Sequence, residues 1–126
     1  LQDLILHNEV APAVNQVEAH IFFQQRGLLE EMKKHGTHMQ AWSPFAAGKN
    51  DFFSNPVLRA LGLAHNKTPA QIALKYLVQL GISVIPKSSH RERMRENLGI
   101  FDFQLPDEDM QRIRALDGGK TLFGWY

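Results

Sequence analysis

One short basic segment, residues 86–97, carries side chains suited to binding a phosphate group. Lys87, Ser88 and Arg93 supply an ammonium, a hydroxyl and a guanidinium group. A serine at position 88 or 89 can cap a helix, whose start then presents free backbone N–H groups and the positive end of its dipole. A helix start flanked by cations favours phosphate binding. On charge alone, the alternative is a basic helix face that is simply solvated.

A second set of candidate residues is polar and lies in a segment with strand character. Asn15, Gln16 and Glu18 are set among the apolar residues of the stretch 13–18. A strand of a buried parallel sheet is mostly apolar, so polar side chains inside it need hydrogen-bond partners. Two interpretations follow from the residues alone: a hydrogen-bonded network in the core, or a site at the carboxyl end of the strand.

Aromatic residues form a third set. Trp42 ends a second stretch with strand character, and its flat ring could stack on a planar ligand or fill the core. Phe52 and Phe53 follow in a segment rich in turn residues. They could line a substrate pocket, or they could pack under the loop that carries them.

Composition excludes several classes of function. The 126 residues carry a net charge of +1, which argues against a general nucleic-acid binder. There is no cysteine, so disulfide and thiol chemistry are excluded and a cytoplasmic location is permitted. The six histidines show no ligand spacing, so we expect no metal site. No apolar run approaches the roughly 18 residues of a membrane span, so we expect no membrane insertion.

The elements that would position these residues alternate between strands and helices. Strands are predicted at 13–18, 38–42 and 82–85, and helices at 1–9, 24–35, 56–65, 68–80, after Ser88, and at 107–116. Thr68-Pro69 is a typical helix start, and Gly36 and Gly81 are typical helix ends. The spacing places Tyr76 in the core, and Phe101, Phe103 and Leu105 alternate toward a neighbouring surface. This alternation is typical of a parallel α/β sheet.

An ordered, ungapped series of motifs runs through the second half of the chain. Ile85-Pro86-Lys87-Ser88 is followed by Arg93, Glu96-Asn97, Phe101-Asp102-Phe103 and Glu108-Asp109-Met110. This series resembles the C-terminal signature of the aldo-keto reductases. The stretches 15–20, 41–45 and 68–74 resemble the same family, so the resemblance runs from about Val10 to Leu116. It implies an α/β fold: the C-terminal portion of a (β/α)8 TIM barrel, with three parallel strands and surrounding helices.

The resemblance also implies an NADPH site. In this family's pattern, Gln16 bonds the nicotinamide carboxamide and Trp42 stacks on the nicotinamide ring, where most members have tyrosine. Ser43 and the backbone from Phe45 to Gly48 face the pyrophosphate. The adenosine end is assigned to five residues: Lys87, Ser88 and Arg93 hold the 2′-phosphate, and Glu96 and Asn97 hold the adenine.

The chain is shorter than the architecture that the resemblance implies. A complete (β/α)8 barrel takes roughly 250 residues, so residues 1–126 are expected to be an incomplete, C-terminal half. The first residue is Leu1 rather than methionine, which suggests a fragment, a processed chain or a truncated record. The family's catalytic Asp, Tyr, Lys and His come from earlier strands. Tyr76 and Tyr126 match no such motif, so no catalytic residue is assigned here.

The predicted function is that of an oxidoreductase, as the cofactor-binding half of an NADPH-dependent reductase of aldehydes and ketones. The half alone is expected to be inactive, and its carbonyl substrate is not identified. The alternative is a non-catalytic dinucleotide-binding or interaction module on the same fold, because fold alone does not fix function. The expected partners are a small carbonyl compound and either the missing N-terminal half or a second copy, since three strands leave open edges.

Overall fold

The structure is a computed structural model that describes residues 14–42, 44–46, 52–85, 96 and 99–119. Its elements are β1 (Val14–Glu18), α1 (Arg26–Lys34), β2 (His38–Trp42), α2 (Pro56–His65), α3 (Pro69–Gln79), β3 (Ser83–Ile85) and α4 (Asp107–Arg114). The predicted alternation of strands and helices is therefore confirmed over this part of the chain. The helices predicted at 1–9 and directly after Ser88 lie outside the described residues.

The three strands form one parallel sheet in the order β1-β2-β3. Gln16 lies opposite Gln40, and Gln40 lies opposite Ser83. Parallel strands need crossover connections, which α1 provides between β1 and β2 and the pair α2–α3 provides between β2 and β3. All three strands therefore end at the same edge of the sheet, which we call the carboxyl edge.

The helix boundaries follow local chemistry. Thr68 caps α3 in a reciprocal capping box with Gln71, and Pro69 occupies the first turn, where its missing N–H is harmless. The Asn55 side chain accepts the N–H groups of Val57 and Leu58 at the start of α2. Gly36 follows α1 with φ of 71°, a left-handed conformation that glycine adopts without steric cost.

One face of the sheet is buried and the opposite face is open. Met39 and Ala41 point to the buried face, where they join Leu29 and Met32 of α1 in one apolar core. The same core contains residues of the later helices: Leu58, Leu61, Ile72, Tyr76, Leu77 and Ile113. Tyr76 is 0% exposed, so its prediction as a core residue is confirmed.

Two expectations for phenylalanines need correction or refinement. Phe101 is 70% exposed, although its alternation with Phe103 and Leu105 predicts a packed side chain. Residues 99–102 form turns rather than a strand, so an alternating pattern does not apply at Phe101. Phe52 is fully buried, which confirms packing under its loop, whereas Phe53 is 48% exposed.

Candidate cofactor site

The predicted cofactor residues of the sheet collect at its carboxyl edge. Trp42 lies between Glu18 of β1 and Ile85 of β3 at the last paired positions. The chain therefore enters two of the predicted cofactor segments, 43–48 and 86–97, from the same edge. Ligands of parallel α/β sheets bind at this edge, because the loops that follow the strands meet there.

Gln16 is exposed on the open face, two positions before this edge. Its Nε2 donates a hydrogen bond of 2.9 Å to Oε1 of Gln40, directly across the strand pair. Because side chains alternate along a strand, Gln16 and Trp42 lie on the same face of the sheet. An amide with both a donor and an acceptor, beside a partly exposed indole, fits a ligand that has a carboxamide and a flat ring.

The rest of the open face carries both polar and apolar side chains. Nε2 of His38 lies 2.6 Å from the Ser83 hydroxyl, across the pair of β2 and β3. Val14, at the start of β1, is 50% exposed. Parallel sheets are normally covered on both faces, and within the described part of the chain this open face has no covering layer.

Glu18, the last residue of β1, forms a buried pair with His20. His20 Nδ1 accepts the backbone N–H of Phe22 at 3.2 Å, so the ring proton is on Nε2, which donates to Glu18 Oε2 at 2.9 Å. Burial lowers the pKa of His20, against the opposing effects of its hydrogen bond to Glu18 and of the charges of Glu18 and Asp117. The imidazole is therefore neutral, and both of its nitrogens hold the turn at residues 20–23 in place.

Beyond this turn, four phenylalanine rings pack together near the carboxyl edge. Phe52 contacts Phe22, Phe45 and Phe53, with ring centroids 6.0, 5.9 and 5.1 Å apart. Phe45 and Phe53 are also adjacent, at 5.7 Å. This cluster fixes Phe45, whose backbone is one of the predicted contacts of the pyrophosphate.

Tyr76 is placed where it cannot serve as a proton donor to a substrate at the sheet. Its hydroxyl donates to Gln24 Oε1 at 2.6 Å and accepts from Arg26 Nη1 at 3.5 Å, in the core between helices. Burial raises its pKa, against the opposing charge of Arg26. Gln24 in turn donates to the Ile113 carbonyl at 2.9 Å. Tyr76 therefore joins α3 to the turn after β1 and to α4.

Glu96 is held by the start of α3. The Thr68 hydroxyl donates to Glu96 Oε1, and Gln71 Nε2 donates to the Glu96 carbonyl at 2.8 Å. Within the capping box, the Thr68 N–H donates to Gln71 Oε1 at 3.0 Å and the Gln71 N–H donates to the Thr68 hydroxyl at 3.2 Å. The contacts described for Glu96 thus tie it to α3.

Lys67, the residue before Thr68, bonds to the chain that follows Glu96. Its Nζ donates to the Gly99 carbonyl at 2.9 Å and to Asp102 Oδ1 at 2.6 Å. The hydrogen bond from Lys67 lowers the pKa of Asp102. Lys67 Nζ also lies 5.1 Å from the centre of the Phe103 ring, within reach of a cation–π contact.

The structure thus describes four of the predicted site residues. It brings Gln16 and Trp42 onto one face, places Phe45 near the edge and attaches Glu96 to α3. Six predicted site residues lie outside the described residues: Ser43, Gly48, Lys87, Ser88, Arg93 and Asn97.

Sequence reasoning missed three supporting side chains. The Thr-x-x-Gln spacing of a capping box was available for Gln71. Gln40 and Lys67 gave no comparable signal, because their roles depend on strand register and on a turn between helices.

Within the described ranges, no group of three or more His, Asp or Glu side chains is arranged to hold a metal ion. Nor does any helix in those ranges have the length and apolarity needed to cross a membrane.

Comparison with known proteins gives one family. A sequence model described as "Aldo/keto reductase family" matches residues 1–118. The match includes the N-terminal residues of this chain, before Val10, where the motif resemblance starts. The chain is 44% identical over 117 residues to aldose reductase B of Dictyostelium discoideum, covering 93% of this chain and 38% of that protein. It is 43% identical over 122 residues to methylglyoxal reductase DkgA of Yersinia pestis, covering 97% and 44%.

Solved structures agree with these matches. An aldo-keto reductase, MGS-M4, from a Medee basin deep-sea metagenome library superposes with a TM-score of 0.93 at 37% identity. The alignment covers 98% of this chain and 46% of that one. The aldo-keto reductase AKR2E5 complexed with NADPH superposes with a TM-score of 0.87 at 36% identity, covering 95% and 39%. The chain therefore spans less than half the length of the relatives it matches.

Proposed function

The chain belongs to the aldo/keto reductase family, and on that premise we propose that it forms the NADPH-binding part of an oxidoreductase that reduces aldehydes or ketones to alcohols. The family is one of α/β barrels, and the three parallel strands with their helices fit part of one. We further propose that this part is the C-terminal half of the barrel.

The observation that carries the proposal is the placement of Gln16 and Trp42. Strand register puts both on the open face, next to the edge from which the chain enters the segments 43–48 and 86–97. An exposed amide can donate to and accept from a carboxamide, and an indole can cover a planar ring. NADPH carries both groups at its nicotinamide end.

The remaining contacts of the proposal follow the dinucleotide away from the sheet. Ser43 and the backbone of Phe45 and Gly48 would bind the pyrophosphate. Lys87, Ser88 and Arg93 would bind the 2′-phosphate, with charge-assisted hydrogen bonds from the two cations. Glu96 and Asn97 would bind the adenine. Because NADH lacks the 2′-phosphate, these cations favour NADPH.

The proposal assigns the hydride and the proton of the reduction to different groups. NADPH, when bound, supplies hydride to the carbonyl carbon. Gln16 and Trp42 would hold and orient the nicotinamide. The proton for the carbonyl oxygen must come from another group, because Tyr76 is buried and bonded to Gln24. We propose that the complementary part of the barrel supplies that group, and that this chain alone does not turn over.

The partner proposed for the open face is the remainder of the barrel. The described sheet has one covered face and two edge strands, β1 and β3, each paired on one side. A second copy of the chain is the competing occupant. Substrate would be a small aldehyde or ketone, and methylglyoxal is a suitable first test because one relative is named for it. We propose a cytoplasmic location, which the absence of cysteine from the 126 residues permits.

The second candidate function is a dinucleotide-binding or interaction module without catalysis. It is favoured by the burial of Tyr76, which leaves the described residues without a tyrosine at the carboxyl edge. The two candidates differ in turnover once the chain is combined with the complementary part of the barrel: a reductase then oxidises NADPH when a carbonyl is added, and a binding module does not.

The test is a titration with NADPH and NADH, followed by quenching of tryptophan fluorescence. We expect saturable quenching by NADPH and weaker binding of NADH. In Arg93→Ala, NADPH affinity should fall by about 10- to 150-fold, which corresponds to about 1.5–3 kcal/mol for a charge-assisted bond, with NADH little changed. Arg112→Ala, which removes an exposed arginine of α4, is the matched control. Absence of saturable binding of either nucleotide would refute the proposal.

A further inference from the structure

We propose that Thr68 and Gln71, at the start of α3, are positioning residues that fix Glu96 for recognition of the adenine base. This inference rests on the proposed function, because it concerns the adenosine end of the same cofactor. Neither residue would touch the dinucleotide. Both would act through Glu96, by holding its carboxylate and its backbone in one arrangement.

The two side chains of the capping box also bond to Glu96. The Thr68 hydroxyl accepts the Gln71 N–H and donates its own proton to Glu96 Oε1. The Gln71 amide accepts the Thr68 N–H through Oε1 and donates to the Glu96 carbonyl through Nε2. Each side chain thus closes the helix start with one group and holds Glu96 with the other.

The turn that carries Thr68 is closely packed against α2. Asn66 adopts a left-handed conformation with φ of 56°, and the Lys67 N–H donates to the Gly62 carbonyl at 2.8 Å. A Cβ atom on Gly62 would lie 2.5 Å from the Lys67 carbonyl oxygen, so the two segments approach as closely as glycine allows.

The turn between α2 and α3 also bonds to the chain that follows Glu96. Lys67 bonds the Gly99 carbonyl and Asp102, and its ammonium lies over the Phe103 ring. Glu96 and residues 99–103 are therefore attached to the turn between α2 and α3 at several points. Their contacts do not depend on the cofactor, so Glu96 is placed before the cofactor binds.

The Glu96 carboxylate can accept a further hydrogen bond. In the described contacts the Glu96 carboxylate uses Oε1, toward Thr68, which leaves Oε2 to accept a hydrogen bond from an exocyclic amino group. Adenine has such a group, and hypoxanthine has a carbonyl oxygen instead. A carboxylate held in one rotamer loses little further freedom on binding, so fixation by Thr68 and Gln71 improves discrimination between the two bases.

The experiment compares NADPH with reduced nicotinamide hypoxanthine dinucleotide phosphate, whose base has a carbonyl group in place of the exocyclic amino group. The informative variant is Gln71→Glu. A glutamate at this position still completes the capping box, yet its carboxylate cannot donate to the Glu96 carbonyl. Thr68→Val removes the hydroxyl that reaches Glu96, and Thr68→Ser restores it. Asn55→Ala is the control, because it removes the cap of α2, which is not bonded to Glu96.

We expect the unmodified chain to bind NADPH about 10- to 150-fold more tightly than the hypoxanthine analogue, as one hydrogen bond to a charged group allows. Gln71→Glu and Thr68→Val should reduce this preference to less than about twofold, and Thr68→Ser and Asn55→Ala should retain it. An unchanged preference in Gln71→Glu and Thr68→Val would overturn the inference while leaving the proposed function in place. Failure of the unmodified chain to bind NADPH would instead refute the proposed function.

Discussion

Gln16 and Gln40 lie opposite each other in β1 and β2, and their side-chain amides share a hydrogen bond of 2.9 Å on the open face of the sheet. The bond holds the Gln16 amide two positions before the carboxyl edge, on the face that Trp42 shares. A side chain fixed in this way is preorganised for ligand binding, because it loses little further conformational entropy when a ligand binds.

The first prediction concerns Gln16. In Gln16→Ala the affinity for NADPH should fall by about two- to tenfold, since one hydrogen bond between neutral groups contributes about 0.5–1.5 kcal/mol. Fluorescence titration measures the change. His38→Ala is the matched control, because His38 lies on the same open face but at the amino end of β2. Equal losses in the two variants would show that the effect comes from the sheet rather than from the amide.

The second prediction concerns pH and His20. Burial lowers the pKa of His20 below its ordinary value of about 6.5, so the unfolded chain binds the proton more readily than the folded one. This contribution to stability is complete above about pH 6.5 and is lost as the pH falls toward the lowered pKa. The free energy of unfolding in urea should therefore decrease between pH 7.5 and pH 5.5.

The same measurement on two variants isolates the residue. In His20→Gln, whose amide can still donate to Glu18, the decrease between the two pH values should be smaller. His35→Gln replaces an exposed histidine that lies 3.3 Å from Glu31, and should keep the decrease. If His20→Gln kept the full pH dependence, another group would be responsible for it.

The strands and most helix boundaries could be predicted from the sequence, because they depend on local chemistry. Thr68 and Gly36 act as the cap and the stop that their residue types suggest. The hydrogen bond between Gln16 and Gln40 could not be predicted, since it requires the register of two strands far apart in sequence. The pair of Glu18 and His20 was equally inaccessible, because its chemistry depends on burial that only the packed fold provides.

The third prediction compares two glycines in helices. In Gly62→Ala the new Cβ would lie 2.5 Å from the Lys67 carbonyl oxygen, so backbone must shift, at a cost of about 1–3 kcal/mol. In Gly27→Ala the Cβ meets nothing within 4 Å, and the loss of backbone freedom in the unfolded chain should stabilise the protein by about 0.4–1 kcal/mol. Urea unfolding of both variants measures the difference. Changes of the same sign would contradict the close approach at Gly62.

The fourth prediction concerns the open sheet. β1 and β3 are its edge strands, and Val14 on β1 is 50% exposed. Unpaired strand edges and an uncovered face promote association with other chains. The 126-residue chain, isolated without a complementary half, should therefore form dimers or larger species in sedimentation velocity experiments.

Two lysine substitutions distinguish association through the sheet edge from nonspecific hydrophobic association. Val14→Lys places a charge on the edge strand, which opposes pairing with another strand, and should shift the distribution toward the monomer. Leu63→Lys removes an apolar side chain that is 86% exposed on α2, away from the sheet, and should leave association unchanged. A folded, monodisperse monomer of the unmodified chain would contradict the prediction. The open face would then be stable in water without a covering partner, and its exposure would no longer support the remainder of a barrel as that partner.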